Sequence, residues 1–131
     1  MLEKKLIMDS VAYCGLICGM CQPEAVCSCR SNNHCGKRLS PEACLQYTCC
    51  REKGIEGCWE CEDSPCDRDM LAPDKVKIRA FVRCIREDGL EIFAEYIVRN
   101  EAKGIVYHRN GIWGDYDLAT EAEVLELLRE G

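Results

Sequence analysis

Large aromatic side chains and long apolar runs are both scarce in this chain. Phe, Trp and Tyr together make up 7% of the 131 residues, and the hydrophobic figure of 47% is inflated by cysteine. The first half in particular holds too few large apolar residues to build a core by hydrophobic burial alone. No run approaches the roughly 20 apolar residues that a membrane-spanning helix needs, so no membrane association is expected.

Positive charge is also in short supply. The chain has 17 basic and 23 acidic residues, which gives a formal net charge of −6. Each zinc ion held by four thiolates would add a further net charge of about −2. A molecule this acidic is a poor general binder of nucleic acid, so we do not expect nucleic acid as a partner.

Cysteine, by contrast, is abundant, with 13 residues of which 12 lie between Cys14 and Cys66. Two thiolates separated by two or three residues can turn back onto one ion, and two such knuckles complete a tetrahedron. The spacing therefore indicates metal binding. The clusters are Cys14, Cys18 and Cys21; Cys27, Cys29 and Cys35; Cys44, Cys49 and Cys50; and Cys58, Cys61 and Cys66.

Disulfide bonds are the competing explanation for so many cysteines. The odd count argues against a fully bridged framework, and the start of the chain lacks the apolar segment and cleavage site of a signal peptide. Adjacent Cys49 and Cys50, and the single residue between Cys27 and Cys29, also suit disulfide geometry poorly. We therefore expect a reducing cytoplasm and thiols bound to metal.

Zinc is the favoured metal, with two sites favoured and three allowed by the number of cysteines. Closed four-thiolate sites leave no position for substrate or water, so such zinc would be structural and no enzyme is predicted. The alternative is an iron-sulfur protein in electron transfer or redox sensing, because spacing alone does not decide the metal.

Cys14-x3-Cys18-x2-Cys21 is also the spacing of radical S-adenosylmethionine enzymes, but the chain lacks their alternating strands and helices.

The front of the chain resembles a cysteine-rich bacterial and archaeal family known as domain of unknown function 3795. The resemblance covers about residues 10–70 and rests on the segments 12–21, 27–29, 44–49, 51–61 and 64–66. It implies a small, zinc-binding module without an established activity. Cys50 stands where the family has small residues, and Cys84 lies outside the resemblance. The implied metal ligands are Cys14, Cys18, Cys21, Cys27, Cys29, Cys35, Cys44, Cys49, Cys58, Cys61 and Cys66.

Past Cys66 the pattern predicts helix, helix, hairpin and helix. Apolar residues recur at helical spacing in 74–88 and 90–103, Asn110-Gly111 is typical of a hairpin turn, and Thr120 with Glu123 forms a capping box. The expected fold class is a small, metal-stabilised α+β protein. Its loop-rich cysteine domain would span residues 1–70, and a C-terminal segment, 71–131, would pack on it and could offer its helices to a protein partner. The first of these helices also carries a basic stripe, which we interpret as a solvated face. Its residues are Lys75, Arg79, Arg83 and Arg86.

Overall fold

The computed structural model describes residues 4–11, 14, 15, 17, 45–62, 71–107 and 114–131, with the side chains of 6, 9, 10 and 45–48 excepted. This part of the chain is mainly helical. Its helices are α1 (Lys4–Ser10), α2 (Leu45–Lys53), α3 (Val76–Asp88), α4 (Leu90–Ala102) and α5 (Glu121–Glu130), with a 3-10 turn at Cys58–Glu60.

The helix predicted over residues 74–88 is confirmed, but it begins at Val76. The amide of Lys75 donates to the carbonyl of Ala72 at 2.8 Å, so residues 72–75 form a turn before the helix starts. The predicted apolar face is buried throughout. Helix α3 ends at Gly89, whose φ of 96° is accessible to glycine at little cost, and α4 begins at the next residue.

Helices α3, α4 and α5 pack around four aromatic rings. The ring of Phe81 on α3 lies 5.3 Å from that of Phe93 on α4, 6.0 Å from Tyr107 and 5.7 Å from Tyr116. All four side chains are essentially inaccessible to solvent. Four of the nine aromatic residues of the chain therefore form one cluster, where each contributes a large buried area.

The predicted hairpin falls largely outside the described residues, which omit 108–113. Its two sides do approach each other, because the amide of Asp115 donates to the carbonyl of Val106 at 2.7 Å. The return bond runs from the Val106 amide to the Asp115 carboxylate at 2.6 Å, in place of a backbone carbonyl. The described residues contain no strand beyond an isolated bridge between Val11 and Ile17, so the β part of the fold class stays a prediction.

Helix α1, at the start of the chain, packs on the rest of the described residues. Ile7 of α1 is buried in the core, and the Lys4 ammonium group lies 2.8 Å from Glu91 and 3.3 Å from Glu95 on α4. The core joins residues from both sides of position 70, and the division into two domains there stays a prediction. No helix in the described ranges has the length and apolar character needed to cross a membrane.

Candidate metal centre

Four of the eleven predicted ligands lie among the described residues: Cys14, Cys49, Cys58 and Cys61. Cys14 and Cys58 are buried, whereas Cys49 and Cys61 are partly exposed. Cys50, which was not among the predicted ligands, is also buried, with 1% of its surface exposed. The predicted ligands that lie outside the described residues are Cys18, Cys21, Cys27, Cys29, Cys35, Cys44 and Cys66.

The end of α2 determines where Cys50 and Cys58 lie relative to each other. The amide of Ile55 donates to the carbonyl of Cys50 at 3.0 Å, and that of Gly54 donates to Arg51 at 3.3 Å. These two bonds define a Schellman motif, with Gly54 at the left-handed position (φ 69°). The motif reverses the chain directly after the helix, so that it returns toward Cys50 as it reaches Cys58.

The segment that holds Cys58 and Cys61 is a tight turn. The amide of Cys61 donates to the carbonyl of Cys58 at 3.2 Å, and the amide of Glu60 donates to Gly57 at 3.0 Å. A side chain at Gly57 would begin 2.3 Å from the indole of Trp59, so only glycine allows the ring to lie across the backbone here. The turn therefore fixes the spacing of the two cysteines and buries Cys58 and Trp59.

Two sulfur contacts join the end of α2 to the turn at Cys58 and Cys61. The sulfur of Cys50 lies 3.7 Å from that of Cys58, and both are buried. The Lys53 ammonium group lies 3.0 Å from the sulfur of Cys61.

Helix α3 is hydrogen-bonded to this turn through Arg86. A single guanidinium nitrogen of Arg86 donates to the carbonyls of Trp59, at 3.0 Å, and Cys61, at 2.6 Å. A charged donor makes these bonds stronger than neutral ones. Two carbonyls of the turn are thereby bonded to the helix.

The first cysteine cluster reaches the same helix. A Cβ at Gly15 would lie 3.3 Å from both Phe81 and Val82, so the backbone next to Cys14 passes close to α3. Val82 and Arg86 are four residues apart and therefore share one face of the helix, one turn from each other. The chain at Cys14 and the turn at Cys58 are thus brought to one face of α3, although more than forty residues separate them.

The donors present suit a thiophilic divalent ion. Thiolates are preferred ligands of zinc, and burial excludes competing water. Lys53 supplies positive charge at the sulfur of Cys61 and Arg86 supplies it at the backbone of the same turn, where it would offset part of the negative charge of a zinc-thiolate centre. Within the described ranges, however, no group of three or more potential ligands comes together, so a complete site is not defined there.

The basic stripe on α3 is largely occupied by contacts within the chain. Arg79 and Arg83 each lie 3.2 Å from a carboxylate oxygen of Glu121, and Arg86 binds the cysteine turn. Interpreting the stripe as a solvated face was therefore incomplete, since these side chains join α3 to α5 and to the turn. Cys84, on the same helix, is a fully buried side chain.

No protein-family model, curated protein or solved structure matches this chain. The resemblance to domain of unknown function 3795 stays a prediction, and function has to be argued from the residues themselves.

Proposed function

We propose that this chain is a small cytoplasmic zinc-binding protein whose four-thiolate sites are structural and whose role is to bind another protein. Its ligands would come from the eleven cysteines implied by the resemblance to domain of unknown function 3795. Two sites are favoured and three are allowed. Zinc held by four thiolates has no open position for a substrate, so it would stabilise the fold and not perform a reaction.

The main support is the way the Cys58–Cys61 turn is attached to α3. Arg86 satisfies two carbonyls of the turn, and the backbone at Gly15, next to Cys14, passes close to the same helix face. Among the described residues, most of the buried core lies after position 70. Metal binding would supply the folding free energy that the cysteine-rich half lacks, on the order of 10 kcal/mol per structural zinc site.

The partner is proposed to be a protein that contacts the C-terminal helices. Arg79, Arg83 and Arg86 are engaged within the chain, so these side chains are poor candidates for contacting a partner. The outer face of α5 exposes Glu123 and Glu126, and the chain carries a net charge of −6, which favours a basic partner. A photoreactive residue at exposed Ala122 should crosslink this partner in cells, whereas one at exposed Glu52 on α2 should not.

Metal analysis of anaerobically purified protein tests the metal. We expect a colourless protein with two or three zinc ions per chain and no inorganic sulfide. A brown protein containing iron and sulfide would instead establish the iron-sulfur alternative, because both clusters and zinc use such cysteine spacings. Protein that folds with neither metal would overturn the proposal.

Hydrogen exchange after chelation tests the structural role of the metal. Removing zinc should abolish amide protection in 45–62, whereas amides in α3, α4 and α5 should stay protected by the aromatic core. Equal loss of protection throughout the chain would show that the two parts unfold together.

A further inference from the structure

Cys50 and Cys58 form a buried pair of sulfurs at 3.7 Å, with 1% and 6% of their respective surfaces exposed. Only Cys58 belongs to the ligand set that sequence spacing and resemblance imply. The position of Cys50 therefore raises the question of what this thiol does beside a predicted ligand.

The separation matches one edge of a zinc-thiolate tetrahedron. Two sulfurs that are each about 2.3 Å from a zinc ion, at the tetrahedral angle, are about 3.8 Å apart. A disulfide would instead require about 2.05 Å between the sulfurs. The two side chains are thus placed as a pair of metal ligands would be, without any movement of the backbone.

Two neutral thiols joined by an S–H···S hydrogen bond, with either sulfur as the donor, also lie this far apart. Two cations lie on the turn that carries Cys58, since Lys53 contacts the sulfur of Cys61 at 3.0 Å and Arg86 binds the carbonyls of Trp59 and Cys61. Neutral thiols in an apolar pocket require no neighbouring cations, whereas a centre of four thiolates and one divalent ion carries a net charge of about −2.

We propose that Cys50 is a metal ligand and that it shares its ion with Cys58. This inference rests on the proposed function and changes its ligand set, because Cys50 becomes the twelfth ligand from the four clusters. Twelve thiolates are the number that three closed four-thiolate sites require. Each thiol loses its proton to solvent as it binds the ion.

The first test compares Cys50→Ala with Cys84→Ala. Both replace a buried cysteine with a small apolar residue, and Cys84 is the control because its sulfur donates to the Asp88 carboxylate at 3.8 Å. We expect Cys50→Ala to lose one zinc ion per chain or to release it to a chelator at least about 10²-fold more readily, since loss of supporting residues alone costs 10–100-fold. Cys84→Ala should keep the zinc content and release rate of the parent chain.

The second test needs no substitution and therefore does not depend on whether a variant folds. In the full chain loaded with cadmium-113, through-bond couplings connect each metal ion to the β-protons of the cysteines that hold it. We expect one cadmium resonance to couple to the β-protons of both Cys50 and Cys58. A cadmium that couples to Cys58 but not to Cys50 would overturn the inference.

The outcomes separate this inference from the proposed function. If the parent chain binds zinc and Cys50→Ala behaves like Cys84→Ala, Cys50 is only a packed side chain and zinc binding stands. If the parent chain folds without metal, the proposed function fails and this inference fails with it. A Cys50–Cys58 disulfide found by mass spectrometry in anaerobically purified protein would also contradict a shared ion.

Discussion

The hydroxyl group of Tyr107 accepts a hydrogen bond from the backbone amide of Ile17 at 2.8 Å, across 90 residues of chain. Both residues are buried, and Ile17 stands between Cys14 and Cys18 in the first cysteine cluster. The ring of Tyr107 stacks on Phe81 in the aromatic core. The contact therefore connects the backbone of a predicted metal knuckle to the aromatic core.

Replacing Tyr107 with phenylalanine should destabilise the protein by about 1–3 kcal/mol. The ring and its packing are kept, but the Ile17 amide loses its acceptor in a buried position, which costs the desolvation of that group. Urea unfolding followed by circular dichroism measures the change. The control is Tyr96→Phe, which removes a bond to Asp88 at 3.1 Å in a partly exposed position and should cost less. Equal losses in the two variants would contradict a special role for the Ile17 contact.

Replacing Arg86 with leucine should weaken metal retention. The substitution leaves the carbonyls of Trp59 and Cys61 without their donor and removes positive charge beside the thiolates. Residues that support metal ligands typically contribute 10–100-fold to affinity, so zinc transfer to a chelator should be faster by about that factor. Arg83→Leu on the same helix is the matched control, because Arg83 contacts Glu121 and not the turn. Similar rates of zinc transfer to the chelator in Arg86→Leu and Arg83→Leu would show that Arg86 does not contribute to metal retention.

The C-terminal helices could be predicted well because their signals are local. The apolar period of 74–88 and 90–103 located α3 and α4 to within two residues, and the Thr120 cap is confirmed by the bond from the Glu123 amide to the Thr120 hydroxyl at 3.2 Å. The Glu123 carboxylate accepts from that hydroxyl at 3.0 Å. These features depend on residues within a few positions of each other, which is the information that a sequence pattern carries.

Features that depend on distant contacts could not be predicted in this way. The proximity of Cys50 and Cys58 follows from the reversal at Gly54, and the Lys-Gly-Ile sequence at 53–55 is a recognisable signal for that motif in retrospect. The roles of Arg86 and Tyr107 have no such signal, because their partners lie 25 or more residues away. Spacing of cysteines identified a metal-binding class, but it could not decide how the ligands group.

Replacing Asn100 with alanine should destabilise the C-terminal helices more than any surface change in α4. Asn100 is fully buried, and its amide nitrogen donates to the Tyr116 hydroxyl at 3.1 Å and to the carbonyl of Leu127 at 3.0 Å. Its loss removes the buried partner of the Tyr116 hydroxyl, at about 1–3 kcal/mol, and one of the two donors of the Leu127 carbonyl, which still accepts from the Gly131 amide at 2.9 Å. Thermal unfolding measures the loss. Ile92→Ala, on the exposed side of α4, should change stability by about 0.5 kcal/mol or less.

Cys84 should make the protein less stable as the pH rises above 9. Burial, reinforced by the charge of Asp88 and opposed by that of Arg129, raises the pKa of the Cys84 thiol from 9.0 to about 12. Between these values the thiol ionises in the unfolded chain but stays protonated in the folded one, so the stability it contributes is complete below pH 9 and is lost progressively toward pH 12. Glu87 and Tyr96 are the other titratable groups beside it.

The measurement is the free energy of unfolding as a function of pH, in the parent chain and in Cys84→Ala. The variant should lose less stability than the parent between pH 9 and 12, because it lacks the group that titrates differently in the two states. Tyr116, whose pKa burial raises to about 12, is unchanged in both chains and contributes equally to each curve. Parallel curves over this interval would show that the Cys84 thiol ionises as readily in the folded protein as in the unfolded chain.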